Sequence, residues 1–386
     1  MSKYRNLFFL LIILLLTSFM IINPSETVTA AASGFKLWYT VLVPSLLPFF
    51  IVAELLVNVG LVRFMGVILE PLMRPLFKLP GCSSIVIVMG FTSGFPMGAI
   101  LSKKLYEENM LTANETERLV SFTNNSSPLF IIGAIGVGMF GSPAYGYLLA
   151  ASHYLANLLV GILWRFKASK QAMPPPEVSS FKAAYQELLA TKTGSIGKLL
   201  GDAIKNSLNN ILAIAGFIIF FSVLARMLTV WGILDWFALL ISNFIPYLNI
   251  TYPLAYGLGM GLFEITLGAK TISITNSEMI TKLIAVSILL AFSGLSIIAQ
   301  VMSVVATIPV RVSFYLKSRL LQISLSFIIT YIGYRTLLQN QIIESISIPY
   351  YKILYGFDAW SFSITCLLVG LCIIALLMII SSLIRD

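Results

Sequence analysis

The stretch GFTSGFPMGA, residues 90–99, interrupts an apolar segment with three glycines, a proline and two hydroxyl side chains. Glycine and proline both weaken a helix. In lipid, a backbone N–H or C=O without a partner costs several kcal/mol. A break at membrane depth is therefore stable only where protein surrounds it or where it lines a polar cavity.

The composition of the chain places that stretch in a membrane. Of 386 residues, 58% are apolar and 11% are charged, and the mean hydropathy is +0.93. About a quarter of the residues of an ordinary soluble domain are charged. The sequence therefore predicts an all-α integral membrane protein.

Eight ordinary spans and two irregular segments are expected. The runs long enough to cross about 30 Å of hydrocarbon lie near residues 7–23, 34–60, 115–142, 144–166, 203–229, 279–306, 319–338 and 359–383. The two irregular segments, near 81–104 and 251–275, are rich in glycine and polar side chains. Residues 1–33 are expected to form an N-terminal anchor, but the small residues of TVTAAAS (27–33) also suit signal-peptide cleavage.

Basic residues predict the orientation, because cytoplasmic loops carry the excess of Lys and Arg. The polar connection 165–200 contains Arg165 and five lysines, whereas 229–250 contains neither Lys nor Arg. We expect the former in the cytoplasm and the latter outside. The segment 61–80 and both termini then also lie in the cytoplasm, in a multi-pass protein of the cell membrane.

The two halves of the chain are similar to each other. A shift of 170 residues places Gly98 and Ala99 on Gly268 and Ala269, and Ser126 on Ser296. The spans 34–60 and 203–229 run in opposite directions across the membrane, so the repeat is inverted. The expected domains are the anchor 1–33, a first repeat plus a helix at 34–166, a cytoplasmic linker at 167–202, a second repeat at 203–310, and two C-terminal helices at 311–386.

The two glycine-rich segments are predicted to be re-entrant hairpins, entering from the cytoplasmic and external faces. Pro96 suits the first position of a second half-helix, with Ser93 and Gly94 in the turn before it. A half-helix start offers free N–H groups and favours an anion. The alternative is that these glycines only allow close helix packing.

Glu264 lies deep in the second hairpin, where a carboxyl group is by default a candidate for function. It could carry a coupling proton, bind sodium or hold a substrate donor; a structural role at the hairpin turn is the alternative. Glu54 is expected to be structural, pairing with Arg63.

Polar residues in the segments after each hairpin predict a binding site. Adjacent amides and hydroxyls cannot all be paired within one helix, which favours a cavity over helix–helix contacts. Pro128 would free backbone carbonyls and, with Pro96, marks a helix break. The predicted substrate-binding residues are Thr92, Ser93, Gly94, Asn124, Asn125, Ser126, Ser127, Ser293, Ser296 and Gln300.

No enzyme, metal or cofactor chemistry is indicated. Cys82, Cys366 and Cys372 lack metal-binding spacing. The single histidine, His153, lies in an apolar span, and the four aspartates are scattered. The net charge of +9 is explained by cytoplasmic loops, so nucleic-acid binding is not predicted.

The motifs SGFPMGA (93–99) and NETERLVSFTNNSSP (114–128), together with the paired layout, resemble the stage V sporulation integral membrane protein family over residues 36–310. Its halves are similar to the Gate, or nucleoside-recognition, domain of concentrative nucleoside transporters. The resemblance implies a protein of endospore-forming bacteria in the mother-cell-derived outer forespore membrane, needed for the spore cortex and for moving dipicolinic acid toward the forespore.

Several partners and alternatives follow from the resemblance. The implied partners are membrane lipid, a small anionic solute, a coupling proton or sodium ion, and further copies of the chain in an oligomer. Lys103, Lys104 and Lys270 near the hairpin ends could attract the anion or anchor the helices at the interface. The alternatives are a transporter of nucleosides or other small solutes and a non-transporting sensor or scaffold.

Overall fold

The computed structural model describes residues 2–59, 61–168, 195–244 and 250–338. These residues form helices and connections, with no strand among them. The first series of helices is α1 Ser2–Ile22, α2 Pro24–Leu37, π1 Trp38–Leu42, α3 Val43–Asn58, α4 Leu61–Phe77, α5 Ser83–Thr92, α6 Met97–Glu107, α7 Ala113–Thr123, π2 Leu129–Met139 and α8 Pro143–Trp164. The second is α9 Ile196–Val230, α10 Ile233–Phe244, α11 Tyr252–Phe263, α12 Ile265–Ser273, α13 Met279–Phe292, α14 Gly294–Val304, α15 Val312–Gly333 and π3 Tyr334–Leu338.

Four helical segments of the described part are long and apolar enough to cross a membrane, and a bent pair, Leu10–Ile22 with Pro24–Thr40, adds a fifth if it is one span. The predicted integral membrane class is confirmed, whereas a count of eight is not reached. The span expected at 359–383 and most of the linker 167–202 lie outside the described residues, as do Cys366 and Cys372.

Three of the expected ordinary spans have a different form. The span at 34–60 belongs to a longer helix, because α2, π1 and α3 follow one another without a break. The span at 115–142 is interrupted at residues 124–127, between α7 and π2. The segment 279–306 also bends between α13 and α14, where Ser293 and Gly294 have φ of +76° and +71°.

The two longest helices lie side by side and antiparallel. The continuous helix 24–58 is as long as α9, 35 residues, or about 52 Å. Glu26 contacts Arg226 at 2.6 Å, and the indole of Trp38 donates to the carbonyl of Ile211 at 2.9 Å. Rising numbers on one helix therefore meet falling numbers on the other, as an inverted repeat requires.

The order of elements repeats as far as α15. The helices α8 and α15 both contain 22 residues, and they also pack antiparallel. Aligning their first residues sets His153 opposite Gln322, and these two side chains contact each other at 3.3 Å. The element order thus pairs α15 with α8, although we expected residues 311–386 to lie outside the repeat.

Each series contains a pair of short helices joined at a tight break. In the second pair, α12 folds back on α11, so that Gly268 packs against Gly261 and Gly257 against Ile272. The break lies at Glu264. In the first pair, α5 and α6 are separated by residues 93–96, where Gly94 has a φ of +97° that favours glycine. We call these pairs the first and second hairpins.

The close contact in the second hairpin gives a test of the packing. A Cβ on Gly268 would lie 2.6 Å from the nitrogen of Gly261, so Gly268→Ala should force the backbones apart. We expect a loss of about 1–3 kcal/mol, measured as a lower Tm in detergent. The matched control is Gly216→Ala in α9, where a Cβ would meet no described atom within 4 Å. An equal Tm for the two variants would contradict the packing.

Candidate functional site: a cavity between the hairpin tips

A cavity lies where the two hairpins and the two long helices meet. The centres of water-sized molecules can occupy about 80 Å³ of it, enough for several waters. Its lining residues are Leu37, Leu42, Leu46, Gly94, Phe95, Ser126, Ser127, Phe130, Ile214, Ile218, Glu264, Ile265, Thr266, Ser296, Ile297 and Gln300.

Both series contribute equivalent parts to this wall. The hairpin tips supply Gly94 and Glu264, and the segments after each hairpin supply Ser126 and Ser296. The long helices supply residues near their midpoints, such as Ile214. The cavity is therefore placed symmetrically with respect to the repeat, although its side chains differ between the halves.

The first break, residues 124–127, is tied to the first hairpin by Asn124. Its Oδ1 accepts the N–H of Ala99 at 2.9 Å, near the start of α6. Its Nδ2 donates to the carbonyl of Val120 at 2.8 Å. Asn124 thus uses its amide to hold structure and does not line the cavity.

Two side chains of α8 satisfy the backbone of Ser126. Its N–H donates to Nε2 of His153 at 3.2 Å, and its carbonyl accepts from the hydroxyl of Tyr154 at 2.9 Å. The Oγ of Ser126 is buried and has no hydrogen-bond partner among the described residues. The break is therefore held through its main chain, and the hydroxyl of Ser126 is left without a partner among the described residues.

These contacts determine the tautomer of His153. A backbone N–H can only donate, so Nε2 accepts and Nδ1 of the neutral ring carries the proton. Nδ1 faces the amide of Gln322, whose Oε1 otherwise has no partner in the described part. Turning that amide over lets Oε1 accept from Nδ1, since amide orientation is assigned from such networks.

The second break is built without such supports. Ser293 has a left-handed backbone, and its Oγ donates to the carbonyl of Leu290 at 3.4 Å. Gln300, one turn after Ser296, donates to the Oγ of Ser296 at 3.4 Å, and both residues line the cavity. The second break is thus closed by a local turn.

Glu264 lies at the tip of the second hairpin and is buried. One carboxyl oxygen accepts the N–H of Leu267 at 2.7 Å and so caps the start of α12. Within the described residues no Lys or Arg forms an ion pair with it. It therefore performs the structural role considered as an alternative and also places a carboxyl group on the cavity wall.

The predicted site residues divide into three groups. Those that line the cavity are Gly94, Ser126, Ser127, Glu264, Ser296 and Gln300. Those buried beside it are Ser93, Asn124, Asn125 and Ser293. Thr92 is exposed and bonds within its own helix, so its assignment to the cavity was wrong. Pro96 immediately precedes α6, and Pro128 immediately precedes π2.

The charged residues near the first hairpin form local pairs. Lys104 contacts Glu54 at 3.0 Å and Asn58 at 3.2 Å. Glu54 is therefore paired with a lysine, whereas we expected it to pair with Arg63. The side chain of Arg63 lies outside what the structure describes. Lys103 lies 3.8 Å from Glu107, and Lys270 is exposed.

A separate polar cleft lies further along α9. Asn206 and Asn210 line the cleft, and Ile214 and Ile218 line the cavity. A spacing of four residues puts all four on the same face of the helix. The cleft and the cavity therefore lie along the same side of α9.

Sequence reasoning missed the supports behind the first break. His153 was considered only as a catalytic residue, and Asn157, Arg319 and Gln322 were not considered. Asn157 lies one turn after His153 and donates to Asn125, while Gln322 lies three residues after Arg319. Polar residues at helical spacing within an apolar span were the signal that could have found them.

The sequence is similar to those of known proteins. The Gate family, described as nucleoside recognition, matches residues 39–143, which include the first hairpin and the first break. The sporulation integral membrane protein YlbJ of Bacillus subtilis (strain 168) is 40% identical over 330 residues, covering 83% of this chain and 81% of the relative. An uncharacterised protein of Alkalihalophilus pseudofirmus is 35% identical over 111 residues, 27% of this chain and 24% of its own length. No solved structure matches the chain.

The support of Ser126 by His153 predicts a specific loss of stability. His153→Leu removes the acceptor and leaves a buried N–H unpaired, which costs about 1–3 kcal/mol. The measurement is thermal unfolding in detergent. Ser152→Ala, which removes only a bond to the carbonyl of Leu148 in the same helix, is the control and should change little. A wild-type Tm for His153→Leu would show that the break does not depend on this ring.

Proposed function

The chain belongs to the family of the sporulation integral membrane protein YlbJ, and we propose that it is a transporter which moves dipicolinic acid through the cavity between its hairpins. The acid would pass from the mother cell toward the forespore, across the outer forespore membrane, and would support formation of the cortex. Both termini would face the cytoplasm.

One observation carries this proposal: Ser126 lines a central cavity, and its hydroxyl is buried and has no hydrogen-bond partner among the described residues. Buried polar atoms in proteins are nearly always paired. Rotation of this side chain about χ1 would turn the hydroxyl toward space for several waters, where it could bind a solute. Ser127, Thr266, Ser296 and Gln300 add polar groups around the same space.

The proposed membrane arrangement is an inverted repeat with re-entrant hairpins. The cavity lies beside the midpoints of two antiparallel helices, each about 52 Å long. If these helices cross the bilayer, the hairpin tips reach its midplane. Inverted repeats with broken helices around a central site are the usual construction of secondary transporters.

The chemistry of the wall suits a small planar ring with polar substituents. Phe95 and Phe130 offer apolar contact, and the hydroxyl and amide groups can donate to carboxylate oxygens. Glu264 imposes a condition, because an ionised carboxylate repels a dianion at close range. We therefore propose that the acid enters together with a proton on Glu264, and that sodium is the alternative coupling ion.

A second candidate is favoured by the Gate match over residues 39–143. A neutral nucleoside would use the same hydroxyl and amide groups and would not require Glu264 to be protonated. A sensor or scaffold that binds without transport would have the same pocket. Radiolabelled dipicolinate and uridine, offered to proteoliposomes with imposed proton or sodium gradients, separate these possibilities: uridine flux supports the nucleoside transporter, and binding without flux supports the sensor.

The serines of the wall should matter for transport. We expect Ser126→Ala combined with Ser296→Ala to lower the initial rate of dipicolinate uptake by at least about tenfold, because two lost hydrogen bonds to a charged ligand cost about 1.5–3 kcal/mol each. The control is Thr92→Ala, a hydroxyl that faces away from the cavity. Equal rates for the double variant and the control would remove the cavity from the transport path.

Glu264→Gln tests the coupling. The amide resembles a permanently protonated carboxyl group, so we expect uptake to continue downhill but no longer to respond to a proton gradient. Counterflow at several pH values, with and without a gradient, measures this. An unchanged response to the gradient would restrict Glu264 to its role as a helix cap.

A further inference from the structure

We propose that Arg319 selects for anions, as a buried positive charge placed directly behind the cavity wall. The inference rests on the proposed function only in that the cavity admits solutes. It adds a residue that determines the charge of the solute, and nothing in the family match assigns one.

Arg319 is fully buried in α15. Its guanidinium group donates to the carbonyls of Ser121 and Asn124, the latter at 3.4 Å, and to Oδ1 of Asn157 at 3.2 Å. It also lies 5.0 Å from the ring centre of Tyr315. All the hydrogen-bond acceptors are neutral oxygen atoms at or beside the end of α7.

No acidic side chain of the described residues forms an ion pair with Arg319. Two other buried carboxylates form ion pairs: Glu54 contacts Lys104 at 3.0 Å, and Glu117 contacts Arg311 at 2.6 Å. Arg118 is also buried and resembles Arg319, because it donates to neutral oxygen atoms of Asn114, Phe77 and Lys78. Burying a charge without a partner of opposite charge is costly. The carbonyl groups at the end of α7 offset part of that cost through the negative end of the helix dipole, but the net charge remains.

That charge is close to the solute space. Ser126 lines the cavity and follows Asn124 by two residues, which span at most about 7 Å of chain. A unit charge about 10 Å away, at an effective dielectric constant of about 20, changes the occupancy of a monovalent anion by roughly tenfold. The same charge disfavours a cation to a similar degree.

A purely structural role as a cap of α7 explains the carbonyl contacts but not the charge. The second series closes its break with the positive φ of Ser293 and Gly294 and needs no arginine. When α8 and α15 are aligned by their first residues, Ala150 is the residue equivalent to Arg319. The positive charge therefore lies behind the first break alone, while Glu264 supplies a carboxyl group from the second hairpin.

Arg319 and Glu264 together determine which solute charge the cavity favours. With Glu264 ionised, its charge opposes that of Arg319 in the cavity. With Glu264 protonated, the arginine is unopposed, and an anion is favoured. The structure thus couples the charge of an incoming solute to the protonation of one carboxyl group.

Charge-selective thiol labelling tests the potential without any substrate. In a chain whose three cysteines are replaced by alanine, Ser127→Cys probes the wall near Arg319, and Thr266→Cys probes the wall beside Glu264. Small thiosulfonate reagents, one anionic and one cationic, are compared by their initial rates. We expect the anionic-to-cationic ratio to be about tenfold larger at position 127 than at position 266.

Variants of Arg319 then separate charge from geometry. Arg319→Gln should lower the anionic-to-cationic labelling ratio at position 127 about tenfold. Arg319→Lys keeps the positive charge but lacks the planar guanidinium group, so it should retain most of that ratio. If Arg319→Gln is not monodisperse in size-exclusion chromatography, the proposal is tested by comparing the labelling ratios at positions 127 and 266 in the protein that retains Arg319. Equal ratios at the two positions, or failure of both reagents to react at either, would overturn the proposal.

The outcome is independent of the identity of the solute. If the protein shows the expected labelling ratios but transports no dipicolinate, the result supports the role of Arg319 and refutes only the proposed substrate. Conversely, dipicolinate uptake that persists in Arg319→Gln, with unchanged ratios, would refute the role of Arg319 and leave the transport proposal standing.

Discussion

The pairing of main-chain polar groups at the interrupted helices is the constraint on which this structure depends. A chain this apolar can leave few N–H and C=O groups without partners, yet it breaks its helices at residues 93–96, 124–127, 264 and 293. Each break is satisfied in its own way, by the amide of Asn124, by the ring of His153, by the carboxyl group of Glu264 or by a left-handed turn. The cavity exists because these devices hold four chain interruptions together without filling the space between them.

The fold could be predicted from the sequence where the signal was local. Hydropathy indicated an all-helical membrane protein, and Gly94 and Pro96 indicated a helix break where the structure separates α5 from α6. Much of the cavity wall was also predicted, since Ser126, Glu264, Ser296 and Gln300 stand out as polar residues in apolar surroundings. These features depend on a few neighbouring residues, and the chemistry of those residues allows few alternatives.

What the sequence did not reveal depends on contacts between distant parts of the chain. The role of His153 requires a partner in the first break, and that of Arg319 requires the end of a helix almost two hundred positions earlier. The span within the long helix 24–58 was expected to begin ten residues later, because residues 24–33 carry hydroxyl groups that lower their hydropathy. In the structure three of these hydroxyl groups donate to main-chain carbonyls one turn earlier. Thr92 was misassigned because its side chain bonds to its own helix and faces outward, a direction that composition does not encode.

If the two series are copies of one repeat, the crossing of α8 and α15 has an evolutionary consequence. Equivalent residues of the two series touch there, so a dimer of identical single-repeat chains would have placed each such residue against its own copy. Two arginines at the positions of Ala150 and Arg319 would then have buried two positive charges, one on each side of the crossing. Joining the two repeats in one polypeptide lets each position change alone, and so allows a symmetric scaffold to carry opposite charges on its two sides.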